Sequence, residues 1–458
     1  MSIVLVNPPH SFAETHSGRE GKRKSDDIFS YPPLGLLYIA SMLKQDGIEV
    51  RVIDAPALKI GVREIVQEIE KEKPVIVGMS ATTPQTYTAV QLAKMLKAEY
   101  NNNLIIGIGG AHISADTDFI NRFPYFDFAL TGEAELTLPK ILRKILNGER
   151  VKGIYHGEAP SNLDRIPFPA RELINNDLYF MPIHEKKFTS IIASRGCPYN
   201  CLYCSRPVIG QNVRFRSPKN VVEEMKQCVD EFGSQWFQFV DDTMTLNRDR
   251  IIRFSEEIVN QKLEVEWGCQ TRVDLVDEKL LRAMFKAGCR EISFGIESGI
   301  ERVRAVLRKN FTNKSVFKAF DCCRKIGIET TAFFIIGLPT ETKDELHQTI
   351  NFSKMIKADY IEVHVATPFP GSDLFAIAAK EEIIPIDIWD KHARGELEDF
   401  PLYVTPTLTE EDLHREQKRA YVTFYFRPSY IFHRLFSDAY SAKKLQRDLK
   451  TAISLMKW

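Results

Sequence analysis

Short apolar runs alternate with amphipathic helical stretches along most of this 458-residue chain. Such alternation is typical of parallel sheets, in which a helix returns the chain to the same edge after each strand. In the first 150 residues the pattern predicts strands at 2–6, 49–54, 75–79, 104–108 and 126–130, with helices at 35–45, 62–71, 86–99 and 135–147. Residues 1–150 are therefore predicted to form a doubly wound, Rossmann-like α/β domain, whose ligand binds beyond the carboxyl ends of the strands.

A second βα series begins after a proline-containing stretch, residues 151–186, that is predicted to be a linker. Its strands are predicted at 188–193, 236–240, 265–270, 291–296, 331–336 and 360–366, with helices at 221–231, 250–261, 278–287, 301–307, 314–326 and 343–355. Six βα units predict an open or closed barrel over residues 187–375, with its active site at the carboxyl ends of the strands.

The pattern is lost in residues 376–458, which are predicted to be helical. Several aromatic residues recur there at helical spacing. Core packing is favoured for them over a substrate channel; they are Tyr421, Phe424, Tyr425, Phe426, Tyr430, Phe432, Phe436 and Tyr440.

Composition restricts the class of protein. The chain has 61 Lys and Arg against 61 Asp and Glu, so its net charge gives no reason to expect a nucleic acid partner. No apolar stretch approaches the roughly 18 residues of a membrane span, and no basic leader precedes the first apolar run. Eight cysteines in a chain of this length do not resemble a secreted disulfide framework. A cytoplasmic protein is predicted.

Three of the eight cysteines lie in one short loop just after the first strand of the second series. Cys197, Cys201 and Cys204 are spaced at i, i+4 and i+7. Three thiolates suit zinc or an iron–sulfur cluster. Structural zinc sites use four ligands, often as two separated pairs, and no second Cys or His pair follows here. Three ligands would leave one iron of a four-iron cluster open to bind a reactant.

The CxxxCxxC pattern, with Tyr203 before its third cysteine, resembles the radical S-adenosylmethionine (SAM) superfamily across residues 187–372. The resemblance implies a [4Fe–4S] cluster on Cys197, Cys201 and Cys204. It also implies SAM chelated by the open iron and cleaved to a 5′-deoxyadenosyl radical, and a reductant such as flavodoxin or ferredoxin. SAM-pocket positions are implied at the ends of the barrel strands: Asp241 and Asp242 for the amino group, Gln270 and Arg272 for the carboxylate or pocket wall, Glu297 for the ribose, and Gly337 beside adenine or in a tight turn.

The amino-terminal sheet is similar to the cobalamin-binding domain that is fused to many radical SAM enzymes. Small, hydroxyl and acidic residues at the strand ends carry this likeness and imply a cobalamin site formed by Asp54, Ser80, Thr82, Thr83, Gly109, Gly110, Gly132 and Glu133. The Asp-x-His-x-x-Gly loop of the mutases, whose His ligates cobalt, is absent from the sequence. His112 is interpreted as a packing or tail-contact residue.

Together these resemblances imply a radical SAM enzyme that transfers a methyl group from cobalamin to a carbon centre of an unidentified small-molecule or lipid-like substrate. Three alternatives remain open: ring formation, rearrangement or oxidation with the same cofactors; sulfur insertion or lipid joining beside a vestigial cobalamin domain; and a non-catalytic, cluster-bearing redox scaffold. A SAM pocket argues against the scaffold. No catalytic residue apart from the cofactor-binding set is assigned.

Overall fold

The computed structural model describes residues 2–10, 30–181, 184–405 and 407–435. Its strands are, in chain order, β1 (Ser2–Asn7), β2 (Glu49–Asp54), β3 (Ile76–Ser80), β4 (Ile105–Gly109), β5 (Phe128–Thr131), β6 (Gly153–His156), β7 (Phe180–Met181), β8 (Lys186–Ile191), β9 (Ser194–Arg195), β10 (Arg214–Phe215), β11 (Trp236–Phe239), β12 (Glu266–Thr271), β13 (Cys289–Glu297), β14 (Glu329–Ile336) and β15 (Tyr360–Val365).

The α-helices follow the same alternation. They are α1 (Leu34–Gln45), α2 (Ala55–Leu58), α3 (Val62–Glu72), α4 (Thr86–Glu99), α5 (Ala111–Ala115), α6 (Phe119–Arg122), α7 (Leu138–Leu146), α8 (Pro218–Phe232), α9 (Arg248–Asn260), α10 (Glu278–Lys286), α11 (Glu301–Val306), α12 (Asn313–Ile326), α13 (Lys343–Met355), α14 (Asp373–Lys380), α15 (Ile388–Arg394), α16 (Glu410–Tyr425) and α17 (Pro428–Leu435).

The first sheet has the order β2-β1-β3-β4-β5-β6, and all of its pairs are parallel. Its central strands, β1 and β3 to β5, are apolar on both sides because helices cover both faces. Leucines and isoleucines of α1 and α7 form the core on one face, and those of α3 and α4 form the core on the other. The predicted doubly wound α/β fold is confirmed.

β6 is an addition to the five predicted strands, and it lies beyond residue 150. It pairs with β5, and the Gly157 N–H just after it donates to the Thr131 carbonyl oxygen at 2.7 Å. We therefore propose that the first domain extends to about residue 157 and that the linker is correspondingly shorter.

The second sheet has the order β15-β14-β13-β12-β11-β8-β7 within the described ranges. The six predicted strands, β8 and β11 to β15, are parallel, and the two-residue β7 adds an antiparallel strand beside β8. Large apolar side chains such as Phe239, Trp267 and Phe294 pack in one core with the surrounding helices. The outer strands β7 and β15 do not pair with each other, so the barrel is open on one side.

The carboxyl-terminal helices attach to both sheets. α15 packs against α4 of the first domain, whereas α16 packs along β15, the outer strand of the barrel. Core packing is confirmed for Phe424, and Tyr421, Tyr425 and Tyr430 pack against the same core. Tyr421 and Tyr425 also hydrogen-bond to the backbone of β15. The packing prediction is wrong for Phe432, which is exposed near the end of the described chain. Phe436 and Tyr440 lie outside the described residues. In the described part of the chain, no helix is both long enough and apolar enough to cross a membrane.

Candidate active site

The cysteine loop, residues 196–212, lies at the carboxyl end of β8 between the short paired strands β9 and β10. Gly196 begins the loop with φ +94°, and a Cβ atom there would lie 2.4 Å from the carbonyl oxygen of Asn212. The two ends of the loop therefore approach each other as closely as they do only because residue 196 is glycine. The Cys197 N–H donates to the Gly210 carbonyl oxygen at 3.3 Å and closes the loop further.

The three thiols of this loop are withdrawn from solvent. Cys197 is buried, and Cys201 and Cys204 are half-buried. Burial raises the pKa of the Cys201 thiol, and it raises the pKa of Cys204 to about 11. A bound metal centre would reverse this effect, because metal coordination deprotonates a thiol.

The chemistry of these donors fits an iron–sulfur cluster. Three thiolates on one short loop can bind three irons of a four-iron cluster and leave the fourth iron open, whereas a structural zinc site uses four protein ligands.

Arg272 lies against the cysteine loop. Its guanidinium carbon is 3.9 Å from the centre of the Tyr199 ring, and its Nε and Nη2 atoms donate to Asp274 at 2.9 Å. Its Nη1 atom is buried and has no hydrogen-bond partner among the described residues. A buried, unpartnered guanidinium nitrogen fits an anionic ligand, and Arg272 was predicted either to line the SAM pocket or to contact the SAM carboxylate.

Glu297 lies at the carboxyl end of β13 and is joined to the cysteine loop. Its Oε1 accepts hydrogen bonds from the Tyr203 hydroxyl and from Lys309 Nζ, both at 2.6 Å. Its φ is +66°, at a register shift in the pairing of β13 with β14. Lys309 was not predicted, because its partner is twelve residues away and no motif connects the two.

The neighbouring carboxylates Asp241 and Asp242 differ in their surroundings. Asp241 is buried and accepts hydrogen bonds from the Ala193 N–H and the Ser194 hydroxyl, so it holds the end of β8. Asp242 is exposed at the same edge of the barrel, where partial desolvation raises the pKa of its carboxyl and Arg206 opposes the rise. Asp242 is thus available to a ligand, whereas Asp241 is engaged by the protein.

Gln270 points into the open interior of the barrel, on the face of β12 opposite to the buried Cys269. The same alternation of buried and less buried side chains occurs on the two strands beyond β13. The less buried face includes Phe333 on β14 and Glu362 and His364 on β15. His364 Nε2 lies 3.3 Å from a Glu362 oxygen, and this hydrogen bond raises the pKa of the imidazole. The interior therefore offers an amide, an aromatic ring and an imidazole–carboxylate pair. Sequence reasoning missed the pair, since its only signal was alternation along β15.

Gly337 follows β14 with φ +77°. A Cβ atom there would lie 2.9 Å from a methyl group of Leu413 in α16, and the Gly337 N–H donates to Glu341 at 2.9 Å. These contacts explain the glycine by a tight turn and by packing. Its contact with adenine stays a prediction.

Six of the predicted cobalamin residues lie at the carboxyl ends of β3, β4 and β5: Ser80, Thr82, Thr83, Gly109, Gly110 and Gly132. Gly110 has φ +102°, and a Cβ atom there would lie 2.7 Å from backbone atoms of Ala81. Thr83 Oγ1 lies 3.2 Å from Nδ1 of buried His112, whose ring packs on Phe119. Burial lowers the pKa of His112 to about 3, which keeps the imidazole neutral.

The other two predicted cobalamin residues have strong protein partners. Asp54 is buried and accepts hydrogen bonds from Asn7 at 2.7 Å and from the Tyr179 hydroxyl at 2.5 Å. Glu133 forms buried ion pairs with Arg195, at 2.5 Å, and with Arg214. In this structure both carboxylates therefore connect the first domain to later segments, and their predicted contact with cobalamin remains untested.

Arg195 directly precedes the cysteine loop, and Glu135 binds it as well, at 2.7 Å. The carboxyl edge of the first sheet thus meets the carboxyl edge of the barrel. A cavity of about 630 Å³ lies nearby, lined by Asp116 and Arg122 of the first domain and by Trp389. A second cavity of about 180 Å³ opens beside Cys204, and Gly371 lines both cavities.

Known proteins share both domains. Residues 29–142 match the family described as the B12 binding domain, and residues 191–353 match the radical SAM superfamily. An uncharacterized methyltransferase of Pyrococcus horikoshii is 32% identical over 453 residues, which cover 95% of each chain. The anaerobic magnesium-protoporphyrin IX monomethyl ester cyclase of Rubrivivax gelatinosus is 29% identical over 431 residues, covering 87% of this chain and 76% of the relative.

Solved structures show the same fold. The cobalamin-dependent SAM radical enzyme OxsB matches with a TM-score of 0.72 at 16% identity, covering 100% of this chain and 70% of that chain. The radical SAM methyltransferase TsrM from Kitasatospora setae matches with a TM-score of 0.65 at 18% identity, covering 83% of this chain and 75% of that chain.

The fold and the cysteine motif thus define a radical SAM enzyme. The chain belongs, more narrowly, to the radical SAM enzymes that carry an amino-terminal cobalamin-binding domain. Its cofactors are a [4Fe–4S] cluster, SAM and cobalamin. This membership argues against the non-catalytic scaffold.

Proposed function

We propose that this enzyme transfers a methyl group from cobalamin to a carbon atom of a small-molecule substrate. The observation that carries the proposal is the ion pair between Glu133 and Arg195, because it joins the carboxyl edge of the first sheet to the residue before the cysteine loop. In open α/β sheets and barrels these edges are where ligands bind. When bound, the cluster with SAM supplies hydrogen abstraction from carbon, and cobalamin supplies the methyl group.

The site residues have distinct roles in this proposal. Cys197, Cys201 and Cys204 hold the cluster. Asp242, Gln270, Arg272 and Glu297 contact SAM, and the strand-end residues Ser80, Thr82, Thr83, Gly109, Gly110 and Gly132 leave space and donors for the cobalamin tail. Asp54, Asp241, Glu133 and Gly337 support the site through the protein contacts described above.

The barrel interior is the proposed substrate site. The side chains of Glu362 and His364 are more than half exposed there, and Gln270 is exposed as well. Such groups hydrogen-bond to polar substituents of a substrate and orient the carbon that reacts. A protein reductant of the flavodoxin or ferredoxin type is proposed to supply the electron.

Ring formation is the second candidate function. It is favoured by the 29% identity to the magnesium-protoporphyrin IX monomethyl ester cyclase, which extends over 87% of this chain. The two functions differ in what happens to the SAM methyl group. In methyl transfer it passes to cobalamin, whereas a cyclase need not move it.

The test uses the full chain, reconstituted anaerobically with iron, sulfide and hydroxocobalamin. SAM with a ¹³C-labelled methyl group and a reductant are added, and the corrin is analysed by mass spectrometry. Methyl transfer predicts labelled methylcobalamin and S-adenosylhomocysteine, together with 5′-deoxyadenosine once substrate is present. SAM cleavage to 5′-deoxyadenosine without label in a bound corrin would support ring formation instead.

A matched pair of glycine variants tests the cobalamin site. Gly110→Trp should eject the corrin and leave the cluster in place, because even a Cβ atom there would overlap Ala81. Gly35→Trp is the control, since residue 35 is exposed and a Cβ atom meets nothing within 4 Å. The retained corrin should show a base-off spectrum, because the sequence has no Asp-x-His-x-x-Gly loop. A wild-type protein that takes up no corrin yet cleaves SAM would contradict methyl transfer.

A further inference from the structure

Lys309 places a buried ammonium group in the barrel interior beside the cysteine loop. Its side chain is 7% exposed, and its Nζ donates to Glu297 Oε1 at 2.6 Å and to the Gly295 carbonyl oxygen at 3.1 Å. It also lies 5.6 Å from the ring centre of Tyr203, the residue before Cys204. Gly295 leaves room for this group, since a Cβ atom there would lie 2.7 Å from the ammonium nitrogen.

The segment that carries Lys309 is hydrogen-bonded to the cysteine loop. The Leu202 N–H donates to the Leu307 carbonyl oxygen at 3.3 Å, and the Arg308 side chain donates to the Asn200 carbonyl oxygen at 3.2 Å. The ammonium group therefore has a defined position relative to the three thiols.

Such a charge acts on the electron affinity of a cluster. Three thiolates and a doubly positive [4Fe–4S] core sum to a single negative charge, and reduction adds a second one. A nearby cation stabilises the more negative state, and it does so strongly where water is excluded. A nearby carboxylate has the opposite effect.

We propose that Lys309 is a positioning residue that raises the reduction potential of the cluster, and that Glu297 both orients the ammonium group and moderates its field. The inference rests on the proposed placement of the cluster on Cys197, Cys201 and Cys204. The step it concerns is the transfer of one electron from a one-electron carrier of the flavodoxin or ferredoxin type to the cluster. The carrier is oxidised by one electron, the core passes from 2+ to 1+, and no bond or proton changes.

The test is a redox titration of the reconstituted full chain without SAM, followed by the electron paramagnetic resonance signal of the reduced cluster. Dithionite and mediator dyes set the solution potential. At the wild-type midpoint, Lys309→Met should lower the ratio of reduced to oxidised cluster about tenfold, which for one electron is about 59 mV. Lys309→Arg should restore most of the ratio, since the charge is kept.

Glu297→Gln gives the opposite expectation in a variant of nearly unchanged shape. The amide oxygen still accepts from Tyr203 and Lys309, but the negative charge is gone, so the ratio should rise. Lys343→Met is the matched control: Lys343 is 47% exposed and paired with Asp412 at 3.3 Å, so solvent screens its charge and the ratio should change less than about twofold.

Opposite shifts in Lys309→Met and Glu297→Gln would establish the inference, since a merely structural role would not give them opposite signs. Unchanged potentials, or shifts of the same sign, would overturn it while leaving the cluster assignment intact. Should Lys309→Met fail to fold, the sign of the Glu297→Gln shift still decides. Failure of the underlying site would show separately, as wild-type protein without a cluster signal.

Discussion

The hydroxyl of Tyr425 accepts a hydrogen bond from the Ile361 N–H and donates one to the Ile361 carbonyl oxygen, both at 3.1 Å. Tyr421, one helical turn earlier, does the same for Val363, at 2.9 and 3.3 Å. These side chains of α16 occupy the place of a neighbouring strand along β15. An unpaired outer strand is otherwise open to pairing with another chain, so the helix protects this edge of the barrel.

Removing both hydroxyls should weaken this edge. The double variant Tyr421→Phe/Tyr425→Phe leaves backbone groups of β15 without partners, which should lower the free energy of unfolding by about 1–3 kcal/mol. Denaturant unfolding measures the loss, and hydrogen exchange at residues 361 and 363 should accelerate. Tyr125→Phe is the control, because the Tyr125 hydroxyl makes no hydrogen bond within the described ranges. Unchanged exchange at both amides would argue against the edge role.

Replacing the three loop cysteines should remove the cluster. Wild-type protein reconstituted anaerobically should hold about four irons per chain and be brown, and the triple variant Cys197→Ala/Cys201→Ala/Cys204→Ala should lose both properties. Cys322→Ala serves as the control, since Cys322 is half-buried on α12 and outside the loop. Iron and sulfide analysis with absorption spectra decides. If the triple variant keeps its full iron content, other cysteines bind the cluster.

The two neighbouring aspartates should respond differently to substitution. Asp242→Ala should weaken SAM binding by about 1–3 kcal/mol and leave the iron content intact, and Glu297→Ala should do the same. Asp241→Asn should instead loosen the end of β8, because it weakens the acceptor of the Ala193 N–H and the Ser194 hydroxyl. Equilibrium dialysis with SAM and thermal unfolding separate the two effects. Unchanged SAM affinity in both Asp242→Ala and Glu297→Ala would remove these residues from the pocket.

The contribution of Glu341 to stability should fall as the pH rises. Burial raises the pKa of this carboxyl from 4.5 to about 7. Between these values the folded state holds a proton that the unfolded chain has released, so stability declines from about pH 4.5 to 7 and is constant above. Glu341→Gln removes this decline. The difference in free energy of unfolding between the variant and the wild type should therefore be about 3 kcal/mol more in favour of the variant at pH 8 than at pH 4.5.

Glu345→Gln is the control of opposite sign. Hydrogen bonds from the Arg302 guanidinium and from Thr342, the residue before α13, lower the pKa of Glu345 to about 2. The stabilisation from its carboxylate is present above the ordinary pKa and is lost as pH falls, so Glu345→Gln should be the less stable protein near neutral pH. Thermal unfolding of both variants at pH 5 and 8 checks the signs. A Glu341→Gln variant that follows the wild-type pH profile would show that Glu341 does not titrate in this window.

Local sequence patterns predicted most of the fold. The strands of both sheets were recognised because each is an apolar run with a helical stretch after it. β6 was missed because Gly153–His156 alternates between half-buried and exposed residues and precedes a proline-containing stretch. The cysteine loop was evident because its ligands are contiguous in sequence.

The roles of charged residues depended on partners far along the chain. Asp54 and Glu133 were assigned to cobalamin from their places after strands, but Tyr179 lies 125 residues from Asp54 and Arg195 lies 62 residues from Glu133. No local pattern encodes such pairs. Lys309 was missed although Glu297 is only twelve residues away, because no motif connects the two residues and its other neighbour, Tyr203, lies far along the chain.

The buried ion pairs of Arg195 with Glu133 and Glu135 limit how the two domains of such enzymes can be exchanged to make chimeras. The charge of Arg195, just before the cysteine loop, is neutralised by carboxylates encoded in the other domain. A barrel transplanted onto a foreign cobalamin domain would leave that guanidinium uncompensated unless the graft carried both glutamates with it, and an unpaired buried charge is strongly destabilising. The transferable unit for building chimeric enzymes is accordingly the barrel together with the turn at residues 131–135.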